Sequence, residues 1–299
     1  MYPMVPYYGR KKVYREIPLT FPPQQQNRQP GLESLMVPRP ISDNPSYSGS
    51  GKLRGQVAII TGGDSGIGRA VAIAFAKEGA DLVIVYLNEH ADAKDTQSRV
   101  EYYGARCLLI SGDLREESFS REVVDQTLRK FGRIHILVNN HAIQFYQKSI
   151  LDISAEQLDH TFRTNVYAFF YLTKAVLPYL SPGSSIIQTT SAVAYEGHEA
   201  LLDYSATKGA ILSFTRALSQ SLLNRGIRVN GVAPGPIWTP LIPSSFPPED
   251  VSTFGVDSPM KHAGQPFELA PAYVYLACDD SKYVSGQVLH VNGGEMVSS

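Results

Sequence analysis

From residue 51 onward the apolar residues gather into short continuous runs separated by polar or glycine-rich breaks. The run 57–60 (VAII) stops at Thr61, Gly62 and Gly63, and a short apolar run that ends in turn residues reads as a buried strand. Similar runs predict strands at 82–86, 107–110, 134–138, 185–189, 227–232 and 288–291. Between them the spacing changes to that of a helix. Ile67, Val71, Ala74 and Phe75 share one face of a predicted helix over 67–78, and further helices are expected at 116–131, 155–180 and 203–225. Strands this apolar, alternating with helices, imply a parallel sheet covered on both faces. The expected fold is α/β: one domain built on a doubly wound parallel sheet, the Rossmann arrangement, with about seven strands. Such sheets bind ligands beyond the carboxyl ends of their strands.

Residues 1–50 follow neither period. They hold nine of the chain's twenty prolines and the Gln24, Gln25, Gln26 run, so an extended N-terminal arm is expected there. The first twenty residues are expected to be partly disordered, and the arm's tyrosines with Leu32, Leu35 and Met36 to pin the second half onto the body. The domain proper is then 51–299. Within it, the proline-rich stretch of about 238–262 reads as a lid over the substrate.

Charge and cysteine content narrow the class. With 27 basic and 28 acidic residues the net charge is −1, which argues against a nucleic-acid partner. No run of 18 apolar residues is present, and the start of the chain lacks the apolar core of a signal peptide. Cys107 and Cys278 lie far apart in apolar stretches. They read as buried thiols rather than as a disulfide or zinc ligands. The expectation is a soluble protein of the reducing cytoplasm with no metal and no membrane contact.

Chemistry enters at the turn Thr61, Gly62, Gly63, Asp64, Ser65, Gly66, Ile67, Gly68. Glycines between a strand and a helix let the backbone approach a pyrophosphate, whose charge meets the helix N-terminus. A phosphate loop of the GxxxxGK[ST] type is excluded because Arg69 follows Gly68, and a GxSxG elbow fails because Ile67 stands where its second glycine belongs. Downstream, Tyr204 and Lys208 are four residues apart at the start of a predicted helix, hence on one face. A free phenol has a pKa of about 10, and a neighbouring ammonium is expected to lower it toward working pH. Ser191, thirteen residues before Tyr204, can hold the same substrate oxygen.

With these motifs in view, the sequence resembles the short-chain dehydrogenases/reductases over roughly 52–297, and its arm is similar to that of a bacterial glucose/ribitol-dehydrogenase-like subgroup. The resemblance implies a catalytic set of Asn165, Ser191, Tyr204 and Lys208. It implies nicotinamide-cofactor contacts at Gly62, Asp64, Ser65, Gly66, Ile67, Gly68, Asp113, Leu114, Asn139, Asn140, Tyr204, Lys208, Pro234, Gly235, Ile237 and Thr239. The family's NNAG reads Asn139, Asn140, His141, Ala142 here, and His141 is read as a packing residue that props the loop. The implied reaction is hydride transfer between NAD or NADP and an alcohol or carbonyl, with a sugar or polyol among the options. The implied assembly is a homotetramer. A catalytically silent, cofactor-binding regulatory protein on the same fold is the alternative. The second strand ends in Leu87, Asn88 and Glu89, with no cation in the glycine turn, so the local charge favours NAD, although Arg69 or Lys94 could reach round to a phosphate.

Overall fold

A computed structural model describes residues 20–295. Seven strands are laid down: β1 (Val57–Thr61), β2 (Asp81–Tyr86), β3 (Cys107–Ser111), β4 (Ile136–Asn139), β5 (Ser185–Thr189), β6 (Arg228–Pro234) and β7 (Val288–Val291). All pair in parallel, in the order β3-β2-β1-β4-β5-β6-β7. The winding reverses between β1 and β4, and the crevice at that reversal is where a doubly wound sheet takes its ligand.

The helices are α1 (Gly66–Lys77), α2 (His90–Tyr102), α3 (Glu117–Phe131), α4 (Ala155–Phe162), α5 (Ala168–Val176), α6 (Val193–Glu196), α7 (Leu202–Leu222), α8 (Pro248–Ser252) and α9 (Pro266–Ala277). Alternate residues of a strand point to opposite faces, and β1 shows the result. Ala58 and Ile60 join a core layer with α1, α2 and α9, while Val57 and Ile59 join the layer under α3, α5 and α7. The expected fold is therefore the observed one. Cys107 and Cys278 are buried and unpaired.

Two local differences from the sequence pattern bear on the site. The helix expected over 155–180 is broken by a π turn at Arg163–Tyr167 and closed by a 3₁₀ turn at Leu177–Tyr179, which carries Pro178. The π turn has a visible cause. His141 Nε2 donates to the Thr164 carbonyl at 3.0 Å, and the Asn165 side chain is bound on both sides to Ile143, so the local backbone answers to β4's loop rather than to its own ladder. The pattern also does not single out α9, whose interior holds Pro271. A capping box of Gln265 and Glu268, with Pro266 at the first position, starts it.

The arm, from residue 20 onward, lies across the body. Phe21 stacks on the fully buried Trp238 at 3.7 Å, and the Trp238 indole donates to the Pro38 carbonyl at 2.9 Å. The anchors differ from those expected. Met36 is buried, but Leu35 is 61% exposed, and the deepest attachment is polar: Glu33, 2% exposed. The disorder expected of the first twenty residues concerns a stretch almost wholly outside the described ones.

Candidate active site

A cavity of about 560 Å³ opens beyond the carboxyl ends of the central strands. Its floor begins at the glycine turn. Gly62 and Gly66 have φ of +60° and +51°, a region closed to most side chains. A Cβ on Gly68 would lie 2.0 Å from the Gly62 carbonyl oxygen, so that glycine serves the close approach of α1 to β1. Gly62, Asp64, Ser65, Gly66 and Ile67 line the cavity, whereas Gly68 lies behind them. Asp64 is buried, and burial, with Glu89 nearby, pushes its carboxyl up to about 7.

The loop after β4 clamps this turn. Asn140 donates through Nδ2 to the Thr61 carbonyl at 3.1 Å, and its backbone N–H donates to Thr61 Oγ1 at 2.9 Å. Asn139, expected at the cofactor, instead turns away from the cavity. Its side chain is buried and donates to Thr173 Oγ1 on α5 at 3.1 Å, so Asn140 is the residue of the pair that lines the cavity. This follows from strand alternation: neighbours on a strand end face opposite ways. His141 behaves as expected, bridging Thr61 Oγ1 (2.7 Å) and the Thr164 carbonyl. Since that carbonyl can only accept, Nε2 carries the proton and the ring is neutral, and burial holds its pKa down at about 4.

Asp113 and Leu114, just past β3, line the same cavity. The Asp113 carboxylate is chelated by Arg115 at 2.9 Å, and these bonds hold it below the usual carboxylate range despite some burial. On the far side, Pro234, Gly235, Ile237 and Thr239 all reach the cavity. Thr239 sits against the N-terminus of α1, where a Cβ on Gly66 would come within 3.1 Å of it.

The proton-handling residues meet at the ends of β5 and α7. Tyr204 and Lys208 are one turn apart on α7, both buried, with Lys208 Nζ 5.4 Å from the Tyr204 ring centre. Lys208 Nζ donates to the Thr189 carbonyl at 2.9 Å, which fixes it at the cavity wall. Ser191 follows β5 and faces the same space. Asn165 does not reach the cavity. Its side chain is spent on Ile143 and on Thr207 Oγ1 (3.1 Å), and its backbone lies in the π turn. The expected lowering of the phenol is not what this environment does. Burial pushes Tyr204 up to about 12 against a hydrogen bond from Ser191 that lowers it, and burial brings Lys208 down to about 7. Desolvation is the larger effect on both groups.

Residues that the motifs do not single out complete the cavity: Gln144, Thr189 and Thr190, and from the arm Gln29, Pro30 and Gly31. A residue a few positions past a motif strand is findable from sequence, but one on an irregular arm carries no periodic signal. Among the described residues there is no cluster of metal-binding side chains and no helix long and apolar enough to cross a membrane.

A glycine cradle at a helix N-terminus, a cavity of dinucleotide size at the sheet's reversal, and a Ser, Tyr, Lys set beside it fit a nicotinamide dinucleotide. They define an oxidoreductase of the nucleotide-binding α/β class. Sequence comparison gives the family. The profile described as enoyl-(acyl carrier protein) reductase matches residues 62–295, and the chain belongs to the short-chain dehydrogenases/reductases. It is 61% identical over 279 residues to the uncharacterized oxidoreductase YhxC of Bacillus subtilis, covering 93% of this chain and 97% of that one. It is 50% identical to a glucose and ribitol dehydrogenase of Daucus carota (93% and 98% covered). It is 49% identical to the chloroplastic NADPH-dependent aldehyde reductase 1 of Arabidopsis thaliana (92% and 98%). Among solved structures it is similar to a short chain dehydrogenase from Burkholderia cenocepacia J2315 in complex with NADP. The TM-score is 0.76 and the identity 30%, with 81% of this chain and 98% of that one covered.

Proposed function

We propose that the protein interconverts a small neutral alcohol and its carbonyl compound using NADP(H), with Tyr204 as proton donor and acceptor. The observation that carries this reading is the meeting of Ser191, Tyr204 and Lys208 in the cavity that the glycine turn opens. When bound, the dinucleotide supplies or takes the hydride. In reduction, the substrate oxygen accepts hydrogen bonds from Ser191 Oγ and Tyr204 Oη, and the phenol delivers the proton that the new alcohol needs. A phenol held near 12 is fully protonated at neutral pH, which suits the donor role. Lys208, one turn along, would hold the ribose hydroxyls of a bound dinucleotide, and Asn165 ties the π turn to Ile143 and Thr207 behind them. Ser191, Tyr204 and Lys208 assembled in one cavity give no support to the silent regulatory alternative.

NADP replaces NAD as the preferred cofactor in this reading. The charge argument for NAD looked only at residues close in sequence, and one expected cation does prove unsuitable. Arg69 is 2% exposed and wholly engaged by Glu33, Asp95, Thr96 and the carbonyls of Asp64 and Asp92. The arm, however, brings Arg28 to the end of β2, against Asn88 and Glu89. The Burkholderia structure holds NADP, and the Arabidopsis relative is NADPH-dependent.

The substrate side of the cavity mixes Ile242, Phe246 and Phe254 with Glu196, Asp257 and Glu295. Burial and the neighbouring Glu196 hold the Glu295 carboxyl up. These carboxylates have no ion pair among the described residues and repel an anion, so an aldehyde, ketone, sugar or polyol fits better than a keto acid. Two buried free thiols suit a reducing compartment such as the cytoplasm. A homotetramer is proposed on the family resemblance, and light scattering reporting a monomer at micromolar concentration removes it. The central test is a panel of neutral and anionic carbonyls and alcohols, followed by nicotinamide absorbance with each cofactor. Absence of turnover across the neutral set, with either cofactor, defeats the proposal.

A further inference from the structure

Dinucleotide-binding sheets read the 2′ position of the adenosine ribose just past the end of the second strand. Here that position is Leu87, Asn88 and Glu89, and Leu87 and Glu89 line the cavity. Leu87 stands where the deciding residue is expected, and Glu89, two positions on, is a buried carboxylate 1% exposed. It is not alone. Arg28 Nη2 lies 3.1 Å from Glu89 Oε1 and donates to Asn88 Oδ1 at 2.7 Å. Arg28 Nε donates to the Pro30 carbonyl at 2.9 Å, while Nη1 has no hydrogen-bond partner among the described residues.

The arm holds this guanidinium at two points. On the C-terminal side, Gln29 exchanges hydrogen bonds with the backbone of Gln144 in both directions. Gly31 packs so closely on the lid that a Cβ would meet the Pro240 carbonyl oxygen at 2.5 Å. Two residues on, the Glu33 carboxylate accepts from the Gly66 N–H at 2.7 Å. Before it, Gln26 N–H donates to the Pro243 carbonyl at 2.7 Å. Two other cations are committed elsewhere: Arg69 is buried in its own network and Arg115 is chelated to Asp113.

We infer that Arg28, a residue of the N-terminal arm, reads the 2′-phosphate of NADP, with Glu89 holding it in position. The family profile begins at residue 62, so this contact lies outside the segment that the family shares. It rests on the NADP reading above and makes it sharper. A guanidinium offers N–H groups from three nitrogens, and here Nε is spent on Pro30 and Nη2 on Asn88 and Glu89. The two N–H groups of Nη1 are left for the phosphate. The pairing also explains how a buried carboxylate tolerates an anionic ligand beside it. Without Arg28, Glu89 repels the phosphate and becomes a free acceptor for a 2′-hydroxyl. Removing one arm residue therefore reverses the cofactor preference.

The test is calorimetric binding of NADP⁺, NAD⁺, adenosine 2′,5′-bisphosphate and AMP to the full-length protein, to Arg28→Ala, and to the double variant Arg28→Ala, Glu89→Gln. Loss of Arg28 leaves the buried Glu89 without its ion pair, so circular dichroism checks the fold of the single variant, and the double variant removes that charge as well. The expected result is that the wild type prefers the bisphosphate over AMP. Arg28→Ala should lose roughly 10- to 100-fold for NADP⁺ and the bisphosphate, the range for a charged hydrogen bond, with NAD⁺ and AMP unchanged or tighter. In the double variant the repulsion is gone and part of the NADP⁺ affinity returns. A wild type that prefers the bisphosphate and an Arg28→Ala variant that keeps that preference overturns the role of Arg28 and leaves the NADP reading standing. A wild type indifferent to the 2′-phosphate overturns both.

Discussion

The Glu33 carboxylate and the Arg69 guanidinium lie 2.6 Å apart, each almost wholly buried, and join the arm to the first turn of α1. Burial raises the Glu33 carboxyl while Arg69 and the Gly66 N–H lower it, so the pair is a balance of desolvation against charge. Removing Glu33 leaves Arg69 with Asp95 and Asp92 but strands the Gly66 N–H. Glu33→Ala should cost about 1–3 kcal/mol in urea denaturation, the range for a buried group left without its partner, and should expose 20–48 to proteases. A loss below about 1 kcal/mol, no more than an exposed pair contributes, contradicts the role given to this pair.

Tyr204→Phe keeps the buried ring and removes only the hydroxyl. Turnover should fall by at least about 10²-fold while dinucleotide affinity stays within a few-fold, as for loss of a general acid. Stopped-flow turnover and calorimetry on the same preparation check it. Turnover within a few-fold of wild type rules the tyrosine out.

Lys208 releases its proton near pH 7 because it is buried. A step that needs the ammonium slows as pH rises through that value. Lys208→Met should erase this limb of the pH–rate profile and weaken dinucleotide binding. An unchanged profile with unchanged affinity shows that the lysine takes no part.

Asp64 titrates about 7 in the folded chain against an ordinary 3.8. Between those values the folded state holds a proton that the unfolded chain has released. The stability this contributes is whole below about pH 4 and is lost as pH rises through about 7. Asp64→Asn has no such proton. Relative to wild type it should gain on the order of 2–4 kcal/mol between pH 4.5 and 8, read from denaturation at several pH values. A difference that does not change with pH denies the shift.

Much of this was legible before any fold was seen, and the reasons differ by residue. The strands are continuous apolar runs because both faces of the sheet are covered, so the seven could be read from composition alone. Gly62 and Gly66 declare themselves because the backbone there adopts positive φ. Tyr204 and Lys208 declare themselves by helical spacing. Asn139 misled because adjacency in sequence does not say which of two asparagines faces the cavity. The π turn at Asn165 was hidden, since its cause is a tertiary bond from His141. The arm's role was hidden most completely. Arg28 meets Glu89 across 61 positions with no repeating pattern between them, and only the packed chain brings them together.

Two truncations separate the parts of the arm. Removal of residues 1–19 takes away none of the contacts described, so melting temperature and cofactor affinity should hold. Removal of 1–48 also takes the Phe21–Trp238 stack, Met36 and Glu33, and should lower both. Equal melting curves for the two truncated chains show the arm to be passive.

The arm's partners also set a schedule. Pro38 receives the Trp238 indole and Ile41 N–H reaches Gln265, separations of 200 and 224 residues. On the ribosome the arm emerges first, yet the surfaces that receive Pro38 and Ile41 are made near the end. Contacts so distant in the chain close late. The nascent protein therefore closes the arm in stages: Arg28 and Glu33 have Glu89 and Arg69 within 61 positions, whereas Pro38 and Ile41 wait for Trp238 and Gln265. A cofactor present before the last stage meets an open pocket, and docking of the arm then completes its walls.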